Sequence, residues 1–280
     1  MSEHIFADPP DYCQSDWTMA QNWGAFKAED HHRWQNLLAR QSRLVKAYAP
    51  AIFLEGMNLL PDARDGIPHF DELNHVLMKE TGWQVVAVPG WIPNKPFFEH
   101  IANRRFPVAN FLRTAESGAY NDEPDMFHDL FGHIPMLADP RFRDFLVAYG
   151  NAGLRAERLD AADYLGRLWL YTVEFGLILE NGRVKAFGGG LLSSHAEAVH
   201  ATSADDARRL RFDIPRIMRT DYHFDRFQEV YFLVSSMDEL LGKTENTHFA
   251  DVYRELDGLS VLAPGDQLPS DQDYAITTAG

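Results

Sequence analysis

Apolar positions recur at helical spacing along much of the chain. Trp34, Leu37, Leu38, Gln41, Leu44, Val45 and Tyr48 fall three and four apart. That spacing predicts an amphipathic helix running from about Asp30 and stopped by Pro50. Phe70, Leu73, Val76 and Leu77 predict a second helix that ends near Gly82. The β-branched run at residues 83–88, closed by Pro89-Gly90, reads as a short strand, and residues 108–112 read as another. Past Pro124 the helical spacing returns. Phe142, Phe145, Leu146 and Tyr149 share one face, and Leu165, Leu168, Trp169, Tyr171 and Thr172 mark a long segment reaching Leu179. A glycine-rich stretch at 185–190 precedes a helix from Ser194. Val230–Val234 predicts a last strand, with a short helix at 237–241 after it.

These elements predict a mainly α chain with small β elements, without internal repeats and without a linker long enough to separate two domains. Residues 1–27, with Pro9-Pro10 and a polar mix, read as an irregular N-terminal arm. Residues 28–263 form the one domain. The tail at 264–280, rich in Asp, Pro, Gly and Thr, is expected to be flexible.

Composition narrows the class. The 280 residues are 45% hydrophobic and 24% charged, as in an ordinary globular protein. No apolar run reaches the roughly 18 residues that a spanning helix needs. The 26 basic residues are scattered among 41 acidic ones for a net charge of −15, which argues against a nucleic-acid partner. The N-terminus lacks a secretion signal, and the single cysteine, Cys13, forms no internal disulfide, so a cytoplasmic location is expected.

The densest chemical cluster is Glu123-Pro124-Asp125-Met126-Phe127-His128-Asp129-Leu130-Phe131-Gly132-His133-Ile134-Pro135. On an ideal α-helix, five residues turn through about 500°, so the rings of His128 and His133 would point ~140° apart. They converge on one ion only if the helix ends, tightens or bulges between them; Gly132 and Pro135 permit an ending. Two imidazoles and one carboxylate make an iron site with open positions for O2 and substrate. Glu174, a lone acid in an apolar stretch, is the candidate third ligand, since an unpaired buried charge is costly. Spacing alone leaves two readings open, a metal site or hydrogen-bonded core histidines. HxxxxH recurs at His195/His200, and the Glu-x-x-His pattern of di-iron bundles occurs at Glu29/His32, Glu72/His75, Glu197/His200 and Glu245/His248.

Longer motifs decide between them. Residues 123–135, Tyr171-Thr172-Val173-Glu174-Phe175-Gly176-Leu177 and Lys185-Ala186-Phe187-Gly188-Gly189-Gly190-Leu191-Leu192-Ser193-Ser194 resemble the pterin-dependent aromatic amino acid hydroxylases. So do residues 81–90, 97–107 and 111–113, and the likeness runs in order from about residue 30 to 240. The resemblance implies a single aromatic amino acid hydroxylase catalytic domain with Fe(II) held by His128, His133 and Glu174. It implies tetrahydropterin (tetrahydrobiopterin or a related pterin) and O2 as cosubstrates, and hydroxylation of L-phenylalanine to L-tyrosine. By motif position Arg113 would hold the substrate carboxylate, a task suited to a planar bidentate clamp. Asn121, Pro124, Leu170, Phe175, Gly190 and Ser193 would line the substrate pocket. Ile92, Phe97 and Asp129 would lie beside the pterin, Phe97 by stacking.

Two positions depart from the family pattern. The family usually places Trp four residues before the ligand glutamate, where this chain has Leu170 and puts Trp169 one earlier. Asn121 stands where a Thr is common. A smaller side chain at Leu170 could widen the pocket, so another aromatic amino acid such as tryptophan is an alternative substrate, and a pterin- or metal-binding protein without turnover is the alternative of a different class. No GxGxxG fingerprint is present, so pterin recycling is expected to fall to other enzymes. The chain's short span around the motifs leads us to expect a monomer.

Overall fold

The first long helix, α1 (Ala28–Leu44), buries Trp34, Leu38 and Gln41 along one face and continues as a short 3-10 turn, Val45–Ala47. Gln41 is buried because its amide is used: Nε2 donates to the Tyr48 hydroxyl at 2.8 Å and to the Leu192 carbonyl at 2.7 Å. Pro50 ends this segment as expected, but it also caps a further helix, α2 (Ala51–Gly56). α3 (Phe70–Thr81) packs Phe70, Leu73, Leu77 and Thr81 inward, and Gly82 closes it in the left-handed conformation at φ 71°. In a computed structural model, residues 8–60, 65–113, 124–223 and 226–274 are described.

Strand β1 (Gln84–Val88), helix α4 (Asn94–Ala102) and strand β2 (Arg105–Ala109) follow. β1 and β2 pair in parallel, with Gln84 opposite Arg105 and Val88 opposite Ala109. The second strand therefore lies earlier than the expected 108–112, with Phe106-Pro107-Val108 at its centre. The N-terminal arm is pinned to this pair: the Met19 amide donates to the Ala87 carbonyl at 2.9 Å, and Trp17 is buried.

α5 (Pro140–Glu157) opens with Asp139 accepting from the Arg141 amide, and Pro140 occupies a first-turn position that needs no N–H. It lies against α4 so tightly that a Cβ on Gly150 would meet the Ala102 amide nitrogen at 2.5 Å. α6 (Ala162–Trp169) ends where the sequence pattern expects helix to continue to Leu179. Instead the chain passes through a π-helical turn and enters β3 (Leu177–Glu180), which forms an antiparallel hairpin with β4 (Arg183–Ala186). Asn181 and Gly182 join them with positive φ of 50° and 74°, as a two-residue hairpin turn requires.

The remaining elements are α7 (Gly189–Ser193), α8 (His195–Ser203), β5 (Arg208–Arg211), α9 (Ile214–Met218), β6 (Val230–Val234), α10 (Met237–Asn246) and α11 (Phe249–Leu256). The second sheet has the order β4-β3-β6-β5, and β6 is parallel to both its neighbours. Among the described residues the fold is thus mainly helical with two small sheets, as the pattern predicts. One apolar cluster from Trp34 to Leu256 joins both halves.

Residues 264–274, the described part of the tail, make internal contacts. Tyr274 N donates to the Arg209 carbonyl at 2.7 Å, Arg211 N to that of Gln272 at 2.9 Å, and Asp271 sits between Arg208 and Arg216. Backbone pairing beside β5 and the Asp271 carboxylate tie this polar segment to the domain.

Candidate active site

His128 and His133 lie on a π-helical turn, His128–His133, that runs directly into a 3-10 turn, Ile134–Ala138. A π turn closes its hydrogen bonds from i to i+5, so residues five apart fall over one another. This bulge resolves the ~140° divergence of an ideal helix. The two Nε2 atoms come within 3.1 Å of each other. Glu174 sits on the second π turn, Leu170–Glu174, where the Phe175 amide bonds back to the Leu170 carbonyl at 2.8 Å. Its Oε2 is 3.2 Å from His128 Nε2, and its Oε1 is 3.3 Å from His133 Nε2. Among the described residues this is the one group of three such side chains whose ligand atoms all fall within 4.8 Å of one another. The repeated Glu-x-x-His patterns do not converge there. Glu197 is buried and its carboxylate accepts from the Gln228 amide and the Tyr231 hydroxyl instead.

The tautomer of His128 follows from its neighbour. Ser193 Oγ lies 3.0 Å from His128 Nδ1 and donates to the Gly190 carbonyl at 3.3 Å. With its proton committed to that carbonyl, the hydroxyl accepts from Nδ1–H, which leaves Nε2 as a bare lone pair aimed at the cluster. His133 is held by close packing: a Cβ on Gly189 would sit 2.3 Å from its ring. Glycine is required at 189 for that approach, which gives the Gly188-Gly189-Gly190 stretch a physical role. Phe106 covers the same imidazole, with centroids 5.1 Å apart.

Charge accumulates here without closing on itself. Burial opposes the imidazolium form of His128, but the carboxylates of Glu174, Asp129 and Asp125 together outweigh it and the net shift is upward. Burial likewise opposes ionisation of Glu174, and the charges of His133 and His128 hold it well below the usual carboxylate range. Burial pushes Asp129 up to about 6 against the pull of His128. A cation bound by three lone-pair donors removes these tensions together. For a metal about 2.1 Å from each donor with donors at right angles, donor–donor edges of about 3.0 Å are needed. The two nitrogens lie 3.1 Å apart and each is 3.2–3.3 Å from one oxygen of the carboxylate, which brings all three groups within that reach, and two nitrogens with one carboxylate suit Fe(II).

Arg113 leaves β2 four residues beyond its end and reaches Asp125 with a bidentate clamp. Nε donates to Oδ2 at 2.9 Å and Nη2 to Oδ1 at 2.8 Å, and the Arg113 amide also donates to Oδ2. Asp125 is fully buried; burial raises its pKa, but Arg113 lowers it further, so the net shift is downward. The same carboxylate accepts from the His128 amide at 3.0 Å. Asp125 therefore fixes the arginine and caps the turn that carries the first histidine. Arg113 stands out in the sequence whereas Asp125 does not, although Asp three residues before a helical His is a cap spacing.

Of the other expected positions, Gly190 and Ser193 touch the same cluster. Pro124, Phe175, Gly190 and Ser193 are half-buried, while Leu170 is buried. A Cβ on Gly190 would approach Glu174 Oε2 and the Phe175 ring, both at 3.3 Å, so this glycine abuts the carboxylate as well as the pocket. Ser193 contacts the first histidine directly, a closer tie to the metal cluster than the pocket-lining expectation. On the other side Ile92, in the loop between β1 and α4, and Phe97, on α4, remain half-exposed. Asp129 accepts from the Ala109 amide at 2.8 Å and so joins the end of β2 to the first π turn. Asn121 lies outside the described residues. Trp169, the displaced aromatic, donates its indole N–H to Glu174 Oε1 at 2.9 Å.

Comparison with known proteins agrees with this arrangement. The sequence profile of the biopterin-dependent aromatic amino acid hydroxylases matches residues 22–256. A phenylalanine-4-hydroxylase of Ralstonia nicotianae is 44% identical over 265 residues, covering 95% of this chain and 83% of the relative. One from Chromobacterium violaceum is 44% identical over 257 residues, covering 92% of this chain and 86% of the relative. The crystal structure of the Chromobacterium violaceum phenylalanine hydroxylase with bound iron(III) and oxidised cofactor 7,8-dihydrobiopterin superposes with a TM-score of 0.88 at 41% identity. That match covers 95% of each chain. With ligand set, surrounding motifs, fold and relatives in agreement, the chain belongs to the biopterin-dependent aromatic amino acid hydroxylases.

Proposed function

We propose that the chain is a tetrahydropterin-dependent phenylalanine 4-monooxygenase with one Fe(II) between His128, His133 and Glu174. The observation that carries the reading is the convergence of three lone-pair donors beside an arginine clamp, in a chain similar over most of its length to phenylalanine-4-hydroxylases. Bound Fe(II), tetrahydropterin and O2 supply the oxidising chemistry that places a hydroxyl on the ring of L-phenylalanine.

The chain's own groups position and shelter that chemistry. His128 and His133 give neutral nitrogens, and the Ser193 hydroxyl holds His128 in the tautomer that leaves Nε2 free. Arg113 holds the amino acid carboxylate. Asp125 takes two of its five N–H donors and keeps the guanidinium charged and fixed in direction. Pro124, Leu170, Phe175 and Gly190 shape the space for the ring, with Asn121 assigned to the same pocket from its motif position. Ile92 and Phe97 take the pterin face and Asp129 its polar edge.

The reading includes a monomer acting in the cytoplasm, with pterin recycled by other enzymes. Cys13 as the sole cysteine supports the compartment. A concentration-independent mass near twice the chain's 31.9 kDa in sedimentation would reject the monomer.

Aerobic incubation of the Fe(II)-loaded protein with tetrahydropterin and L-phenylalanine tests the activity. Formation of para-tyrosine that depends on both iron and pterin is expected; no pterin oxidation would overturn the reading. A second substrate is favoured by one observation, the aliphatic Leu170 at the wall of the pocket. Turnover of tryptophan above phenylalanine, reversed by Leu170→Trp, would assign that preference to this position.

A further inference from the structure

Trp169 is the last residue of α6, and the π turn that follows brings it back over Glu174. Its indole Nε1 donates to Glu174 Oε1 at 2.9 Å. That bond divides the two carboxylate oxygens. Oε1 carries the indole proton and faces His133, whereas Oε2 faces His128. The ring of Trp169 meets Phe97 edge-to-face, with centroids 4.8 Å apart, and leans on Tyr149 at 5.2 Å. Trp169 therefore touches both the carboxylate ligand and the aromatic side chain on the proposed pterin side. An indole N–H donates only and does not titrate, so it orients the carboxylate without competing for the metal's proton balance.

We propose that Trp169 is a positioning residue that holds Glu174 Oε1 away from full donation to the metal, directs Oε2 to it, and transmits occupancy of the pterin side to the carboxylate through Phe97. The inference rests on the metal site and pterin side assigned above. The residue acts through Glu174 and Phe97 rather than on the substrate.

Trp169→Phe keeps a ring against Phe97 and removes the N–H. Outer-shell donors of this kind typically contribute 10–100-fold in metal affinity. We expect Trp169→Phe to bind Fe(II) at least about tenfold more weakly in competition with a chromogenic chelator. Its Co(II)-loaded form should show an altered visible spectrum, and addition of tetrahydropterin should change that spectrum less than in the wild type. Unchanged iron affinity with an unchanged Co(II) spectrum in a folded variant would overturn the proposal. If the variant does not fold, hydrogen exchange of the Trp169 indole N–H in the Zn(II)-loaded wild-type protein decides. Slow exchange is expected, and exchange at the rate of a free indole rejects the bond. The readouts separate two failures. Wild-type protein that makes no tyrosine while Trp169→Phe still loses iron affinity would sink the assigned activity and keep the positioning role. Tyrosine formation with iron binding indifferent to residue 169 would do the reverse.

Discussion

Among the described residues, the charge cluster beside β5 and the one at the metal site are built on opposite plans. Beside β5, the Asp271 carboxylate accepts from Arg208 Nη2 and Arg216 Nε, both at 2.8 Å, and from the Leu268 amide at 2.9 Å. Arg216 also donates to the Asp266 carbonyl, so nearly every donor meets an acceptor. At the metal cluster, two imidazole nitrogens and a carboxylate point their lone pairs at one another. The first arrangement is complete and can only hold the chain together. The second is complete only when a cation enters. The difference teaches where function lies: polar groups whose partner is absent from the chain mark the site, while equally buried and equally charged groups with internal partners mark structure.

Removing one ligand side chain at the metal cluster breaks the comparison most sharply. His128→Ala or Glu174→Ala should reduce iron retention and tyrosine formation below detection, while the circular dichroism spectrum and melting transition persist. Iron content after desalting, set beside turnover, checks this. Acid comes next. Metal binding needs both imidazoles neutral, and in the metal-free protein the carboxylates of Glu174, Asp129 and Asp125 together hold the His128 pKa above its ordinary value despite burial. Iron affinity should therefore fall as pH drops through that raised value, by about tenfold per pH unit for each proton displaced. The metal-free protein behaves oppositely. A raised folded-state pKa contributes stability present below the unfolded imidazole value and lost as pH rises through the folded one. Affinity independent of pH from 8 to 6 would remove the imidazoles from the ligand set. A smaller effect is expected of Arg113→Lys, which keeps the charge and loses the bidentate bond. The loss is about 2 kcal/mol, or roughly thirtyfold, in the KM for phenylalanine with little change in kcat. An unchanged KM would reject the clamp.

Much of this architecture is legible in the residues. The helix faces around Trp34 and Phe142 and the strand at Val230–Val234 follow from periodicity, because each element buries one recognisable side. The ligand triad came from longer motifs, since HxxxxH on an α-helix points the rings apart. What spacing could not give was the pair of π turns, because a widened turn is stabilised by what packs against it. Here that includes Gly189 under His133. The run through Leu179 reads as one helix for a related reason. Periodicity of apolar residues does not register where a π turn shifts the phase, and a buried short strand lacks a pattern of its own. Yet Asn181-Gly182 is a hairpin signal in plain view, and it places β3 and β4. Asp125 and Trp169 went unread because their roles depend on partners 12 and 5 residues away that only the folded backbone brings close. The contacts of the tail are illegible in sequence because Asp271 is one acid among many and becomes special only between two arginines.

That clasp supplies the gentlest test. Asp271→Asn keeps the shape and leaves Arg208 and Arg216 without their shared carboxylate. We expect a loss of roughly 2 kcal/mol, or about 5 °C in melting temperature, with iron content and turnover per folded molecule unchanged. The pH window differs from that of the metal cluster as well. Burial raises the Asp271 pKa, but Arg216, the Leu268 amide and Arg208 together draw it down to about 2. A depressed carboxylate contributes stability present above its unfolded value of about 4 and lost as pH falls through its folded one. The wild-type protein should therefore give up this contribution between about pH 4 and pH 2, after the iron has already gone, and Asp271→Asn should show no such step. Melting curves of metal-free wild type and variant across that range measure it. If the two curves stay parallel down to pH 2, the clasp does not hold the tail, and the contrast between a closed and an open charge cluster rests on the metal site alone.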